Sequence, residues 1–375
     1  MALEALGARR GRRRRDDSDR FEKRGLQVIA VYRRDGQQFS REVIGQEDIA
    51  EDVVWIDLFE PGQDEIAKVE AVIGASIPSR AEMMEIEISS RLYRDDAAEV
   101  MNIPIIHGLH SDTPSFAPIT FMLAAGRLVT IRYTDPASFR IFAARLCHDP
   151  LLVGIEDSDK PLPGTAYALS GIGEAHIAEN LLIGILETVV DRIADLLETI
   201  SVDLDKIASD IFSSSARKKP IGTEDFKRIL QRIGAAGDLA SRARETLAIF
   251  DRLVPFLQLI LEERDKSAAN LRRRLKIVAR DVRSLNDFCS FLSNKTTFLL
   301  DTTVGMISIE QNGIIKIFSV ASVAFLPPTL IASIYGMNFR LMPELDWSFG
   351  YPMAIVMMVM SALLPTLYFR SKGWF

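Results

Sequence analysis

The chain predicts an α/β N-terminal domain, a stalk built on one long helix, and two C-terminal transmembrane helices. Three observations predict this. Runs rich in β-branched and apolar residues, bounded by turn formers, recur up to about residue 133. From about residue 166 the apolar positions recur every three or four residues, the period of a helix. Only two stretches, 314–335 and 351–369, are apolar enough to cross about 30 Å of hydrocarbon.

Residues 1–24 form a basic tail. The run Arg9-Arg10-Gly11-Arg12-Arg13-Arg14-Arg15 is followed by Asp16, Asp17 and Asp19, where a secretory leader would need an apolar core. It reads as a solvated, disordered segment, and secretion is not expected. Residues 25–160 form a cytoplasmic α/β domain. Its strands are expected at 26–32, 53–58, 100–109 and 119–133, the last turning at Gly126, and its helices at 64–73 and 81–93. Prolines and charges from Pro150 to Pro163 close it.

Residues 161–255 read as a cytoplasmic helical hairpin, with helices over 166–212 and 223–250 and a polar tip at 213–222. Glu187, Asp191, Asp195 and Glu198 fall on one face of the first helix; such a stripe is a solvated face, or a surface for a loosely held divalent cation or basic partner. Residues 256–313 form the stalk. Leu271, Leu275, Val278, Val282, Leu285, Cys289, Leu292, Thr296 and Leu299 alternate steps of four and three, a heptad seam. No proline stands between Pro255 and Pro327, so one helix of about 90–100 Å is expected to run into the bilayer. A helix of that length needs partner helices over its seam, which argues for assembly.

The first span, 314–335, carries one charge, Lys316, within a turn of its start, where the side chain can snorkel. Pro327-Pro328 inside it remove two backbone donors and bend it. Residues 336–350 form an external loop, 351–369 the second span and 370–375 a basic cytoplasmic C-terminus. Lys295, Lys316, Arg370 and Lys372 flank the spans, whereas the loop sets Arg340 against Glu344 and Asp346, so both termini are expected in the cytoplasm. Trp347, Tyr351, Tyr368 and Trp374 supply interfacial anchors.

Composition and motifs exclude several functions. A net charge of -6 offers no general attraction for nucleic acid. Cys147 and Cys289 are too distant in sequence for a thiolate cluster. His107 and His110 stand three apart in a predicted strand, which points them to opposite faces, and read as structural. No phosphate loop, nucleophile elbow or zinc-protease motif occurs, so an enzyme and an organic cofactor are not expected. Neither span holds a carboxylate. The first offers Asn312, Ser322, Thr329 and Ser333, with Asn338 just beyond, near one face; Ile315, Phe318 and Leu326 share it. Neutral oxygens suit an ion that keeps its water, Mg²⁺ above all, and apolar rings can close a narrow pore by dewetting. Small polar residues also hold membrane helices together, and apolar ones also face lipid.

Gly336-Met337-Asn338 after a membrane helix, followed by Met342-Pro343-Glu344-Leu345, closely resembles the signature of the CorA family of magnesium channels, proteobacterial branch. Phe325-Leu326-Pro327-Pro328-Thr329-Leu330, Trp347-Ser348-Phe349-Gly350-Tyr351-Pro352 and, more weakly, Val54-Trp55-Ile56-Asp57-Leu58 extend the resemblance. It implies a CorA-like funnel-shaped homopentamer in the bacterial inner membrane, carrying Mg²⁺, Co²⁺ and Ni²⁺. Gly336, Met337 and Asn338 would form the selectivity filter, Thr329 and Asn312 pore rings, and intracellular Mg²⁺ a regulatory ligand that shuts the pore. Glu85 aligns with the family's acidic segment, although Met84 stands where many relatives have a carboxylate. The alternatives are a zinc transporter of the same superfamily, whose motif more often reads Gly-Ile-Asn, and a non-conducting membrane-anchored sensor or scaffold.

Overall fold

A computed structural model describes residues 28–36, 38–45, 47–85, 87–95, 97–109, 114–149, 152, 176–214, 222–264, 268–337, 342–343 and 347–372. The basic tail, most of the 150–163 boundary and most of the hairpin tip lie outside these residues. The chain divides into two compact units, Met1–Lys206 with Gly234–Thr296, and Ile207–Ile233 with Thr297–Phe375.

The first unit is built on a seven-stranded sheet ordered β2-β1-β3-β7-β6-β5-β4. Strands β1 (Val28–Asp35) and β2 (Gln38–Ile44) form a hairpin, and β1 pairs antiparallel with β3 (Val53–Phe59) on its other side. Strands β4 (Leu92–Arg94), β5 (Ala98–His107), β6 (Ser115–Ala124) and β7 (Arg127–Arg132) form an antiparallel meander. Ala125 and Gly126 turn β6 into β7 with φ of 47° and 72°, the two positive values of a tight hairpin turn that follows the strand twist. The only parallel pair among the described strands is β3 with β7, in register from Trp55 opposite Leu128 to Phe59 opposite Arg132.

Successive residues of β3 point to opposite faces. Ile56 and Leu58 pack with Val69 and Ile73 of helix α1 (Gln63–Ile73), while Trp55 meets the rings of Phe139 and Phe142 on helix α4 (Ala137–Cys147). The expected strands are present, and β2, β4 and α4 add to them. The expected helix at 81–93 is replaced by two single turns, α2 (Arg80–Met83) and α3 (Ile88–Arg91), and then by β4. A capping box of Ser79 and Glu82 starts α2. Pairing of Leu92 with Met101 and Tyr93 with Val100 then draws the chain into the sheet, where edge pairing outweighs weak helix propensity.

Three long helices follow, α5 (Ile177–Ser214), α6 (Thr223–Arg264) and α7 (Ala269–Tyr335). The stalk does not begin at 256 as expected. Helix α6 passes through Pro255 to Arg264, because Leu253, Val254 and Leu257 are buried there and their packing offsets the lost hydrogen bond. The seam on α7 is covered: Leu271, Leu275, Val278, Val282, Cys289 and Leu292 are buried, and Leu285 and Thr296 half-buried. On the acidic face of α5, Glu187 receives a two-pronged bond from Arg274 at 2.9 and 2.7 Å and Asp195 pairs with Arg192 at 3.1 Å. The end of α6 is clamped by Arg264, which donates to Glu99 of β5 at 2.6 Å and Glu179 of α5 at 2.5 Å.

In the second unit Phe212 stacks on Phe298, and two helices meet the length and hydropathy of a membrane span: the apolar end of α7, and α8 (Gly350–Ser371). Only 6% of each apolar window is buried within the chain. A soluble core helix of that hydropathy would be covered by its own protein, so these surfaces require lipid or partner helices. Helix α7 continues through Pro327 and Pro328, which leaves the Val323 and Ala324 carbonyls without their intrahelical donors.

Candidate functional site

At about 100° per residue, Asn312, Ile315, Phe318, Ser322, Leu326, Thr329 and Ser333 fall within an arc of about 120° on α7. All seven are exposed, with Ile315 at 60%, Phe318 at 70% and Leu326 at 65%. One continuous helix therefore presents them as a single stripe. The Ser322 hydroxyl donates to the Phe318 carbonyl at 2.9 Å and the Thr329 hydroxyl to the Phe325 carbonyl at 2.7 Å. Each hydrogen is spent on the helix backbone, so each oxygen faces outward as an acceptor. Acceptors of this kind bind the hydrogens of a hydrated cation's water, whereas protein sites that strip water from Mg²⁺ commonly supply one or two carboxylates in its place. Among the described residues no group of three or more His, Cys, Asp or Glu could hold a metal.

The helix ends at Tyr335, and the chain leaves it tightly. The Gly336 amide donates to the Ala332 carbonyl at 2.9 Å and the Met337 amide to that of Ile334 at 3.3 Å. A side chain at Gly336 would place its Cβ 3.1 Å from the Ala332 oxygen, so glycine suits this exit. Met337 is exposed at 48%. Asn338, the third member of the expected filter, and Glu344 in the loop lie outside the described residues. Trp347 and Tyr351 are exposed just before and at the start of α8, where amphipathic rings suit a membrane interface, and the Phe349 ring between them is exposed as well.

Glu85, the expected regulatory ligand, lies in the turn between α2 and α3 and is exposed, as is Met84. Its amide donates to the Glu82 carbonyl at 3.2 Å, and its carbonyl accepts from Arg91 Nε at 2.9 Å. Arg91 also pairs with Glu245 of α6 at 3.6 Å, so it ties this turn to the helical layer. Nothing in the sequence pattern singled out Arg91, since its partner stands far along the chain. Glu82 is held below the usual carboxylate range by the Ser79 amide and hydroxyl. His107 ends β5 with its pKa lowered by burial, and His110 lies outside the described residues.

A family model described as CorA-like Mg²⁺ transporter protein matches residues 50–371. The magnesium transport protein CorA of Sodalis glossinidius (strain morsitans) is 32% identical over 347 residues, 92% of this chain and 100% of that protein. The magnesium transport protein CorA of Escherichia coli (strain K12) is 31% identical over the same shares of both chains. Among solved structures, the complete CorA magnesium transporter from Methanocaldococcus jannaschii matches with a TM-score of 0.64 at 19% identity, covering 93% of this chain and 99% of that one. The full-length CmaX protein matches with a TM-score of 0.57 at 12% identity, covering 94% and 100%. At these identities the two structures are likenesses of fold.

Proposed function

Because the chain belongs to the CorA-like Mg²⁺ transporter family, a family of transporters rather than enzymes, we propose that it forms a channel through which hydrated Mg²⁺ enters the cell. The observation that carries this reading is the stripe on α7, which combines neutral oxygen acceptors with apolar rings and holds no carboxylate. Five copies would surround one pathway in the inner membrane with both termini in the cytoplasm. Gly336, Met337 and Asn338 would ring its outer mouth, and Thr329, Ser322, Ser333 and Asn312 would repeat the neutral contacts below.

Mg²⁺ gives up its water reluctantly, so a path that hydrogen-bonds to that water has a lower barrier than one that strips it. Ile315, Phe318 and Leu326 would close the path by dewetting when the rings draw together. The driving force is the membrane potential. Moving two charges through 100 mV is worth about 4.6 kcal/mol, more than three decades of concentration ratio. Co²⁺ and Ni²⁺, of similar charge, would follow the same route. Intracellular Mg²⁺ bound at Glu85 would hold the channel shut.

Growth of a Mg²⁺-uptake-deficient strain tests the reading: the wild-type chain should rescue it and Asn338→Ala should not. Liposome flux separates the alternatives. Zn²⁺ flux coupled to protons would replace magnesium by zinc, and absence of any Mg²⁺ flux would leave a scaffold.

A further inference from the structure

Within the first unit a cavity of about 270 Å³ opens between α6 and α7, and Lys276, Arg280 and Arg283 form one of its walls. Spaced at i, i+4 and i+7, they share a face of α7 over about 10 Å. All three are exposed, and none forms an ion pair with a described residue. Elsewhere on the same helix Arg274 is engaged by Glu187 and Lys295 by Asp205 at 2.7 Å. The facing wall on α6 includes Pro255, Gln258 and Asp251. Asp251, the one carboxylate among the described residues that line the cavity, already accepts from Asn286 Nδ2 at 3.0 Å. Three cations against one carboxylate leave a surplus of two positive charges along a groove that is open to solvent on one side.

We propose that this cavity binds an oligophosphate, either inorganic diphosphate or the phosphate chain of a nucleoside di- or triphosphate. Arginine forks match phosphate oxygens in pairs, and a lysine adds a point charge beside them. The three cations are spread along two turns of helix, a spacing that linked phosphates bridge and a single phosphate does not. The Gln258 amide supplies a further neutral donor. The volume falls below the roughly 300–1,000 Å³ of sites that enclose a whole organic ligand, which suits a phosphate chain rather than a whole nucleotide. The site stands independently of ion conduction.

Calorimetry on the full-length chain in nanodiscs, without divalent metal, tests it with orthophosphate, diphosphate, ADP and ATP. Diphosphate or the nucleotides should bind at one site per chain, at least 10-fold tighter than orthophosphate. Equal affinity for diphosphate and ADP assigns the inorganic chain; tighter ADP or ATP assigns the nucleotide. Arg280→Gln and Arg283→Gln should each weaken binding about 10-fold or more, while Arg273→Gln, on the same helix but outside the cavity, should not. Asp251→Asn removes the opposing charge and should tighten binding, a gain that misfolding does not produce. Equal affinity for orthophosphate and diphosphate, no binding at millimolar concentration, or affinity unmoved by Arg280→Gln and Arg283→Gln would each overturn the proposal.

Discussion

Asp57 shows what the Val54-Trp55-Ile56-Asp57-Leu58 run does. The Trp55 indole donates to the Thr130 hydroxyl at 3.0 Å, that hydroxyl donates to Asp57 Oδ1 at 2.7 Å, and Arg132 adds bonds to Asp57 at 3.0 to 3.2 Å. Burial opposes the charge on Arg132, yet Asp57 raises its pKa above the ordinary value. The motif therefore locks β3 to β7. Asp57→Asn leaves that guanidinium buried without its counterion and should cost about 3–5 kcal/mol, read as faster amide exchange across β3 and β7 or a lower denaturant midpoint. Burial also pushes the Cys147 and Cys289 thiols up to about 11. At pH 8 the thiolate fraction of each is about one in a thousand. Maleimide should leave both unmodified over minutes in the folded protein and label both once it is unfolded, so prompt labelling of Cys289 in the native state would contradict its burial. A Ser333→Cys probe on the exposed stripe would then report without background.

At the scale of elements, what the sequence revealed depended on burial. Strands β3, β5 and the β6–β7 hairpin are covered on both faces and read as apolar runs, whereas β2 exposes most of its residues and β4 has only three, so neither leaves a period to detect. Helix α4 is buried at Ser138, Phe139, Ile141, Phe142, Ala143, Ala144 and Leu146, nearly all round, which erases the one-sided stripe by which a helix is recognised. Pro255 misled because its local penalty was weighed without the packing that offsets it. The neutral stripe on α7 was legible since it depends on helical period alone, while the pairing of Arg91 with Glu245 joins residues that no local pattern connects. One close approach was equally invisible: a Cβ on Gly184 of α5 would stand 2.5 Å from the Phe142 ring. Gly184→Ala should push α4 from α5 and cost about 1–3 kcal/mol, measurable as a lower melting temperature; an unchanged value would mean that the ring turns aside freely.

For the whole molecule, the exposed apolar surfaces of α7 and α8 and the family membership point to a membrane assembly. If Glu85 helps to sense Mg²⁺, Glu85→Ala should leave liposome flux running at internal Mg²⁺ concentrations that silence the wild type; unchanged closure would remove Glu85 from that role. The parallel pairing of β3 with β7 carries a separate consequence, for biogenesis. Strands β2-β1-β3 and β7-β6-β5-β4 are each stitched from antiparallel neighbours, so each half-sheet can form early, whereas joining them closes a long loop and comes late. Until it closes, two unpaired strand borders stand open, and a nascent chain beside its siblings risks marrying its β3 to another molecule's β7.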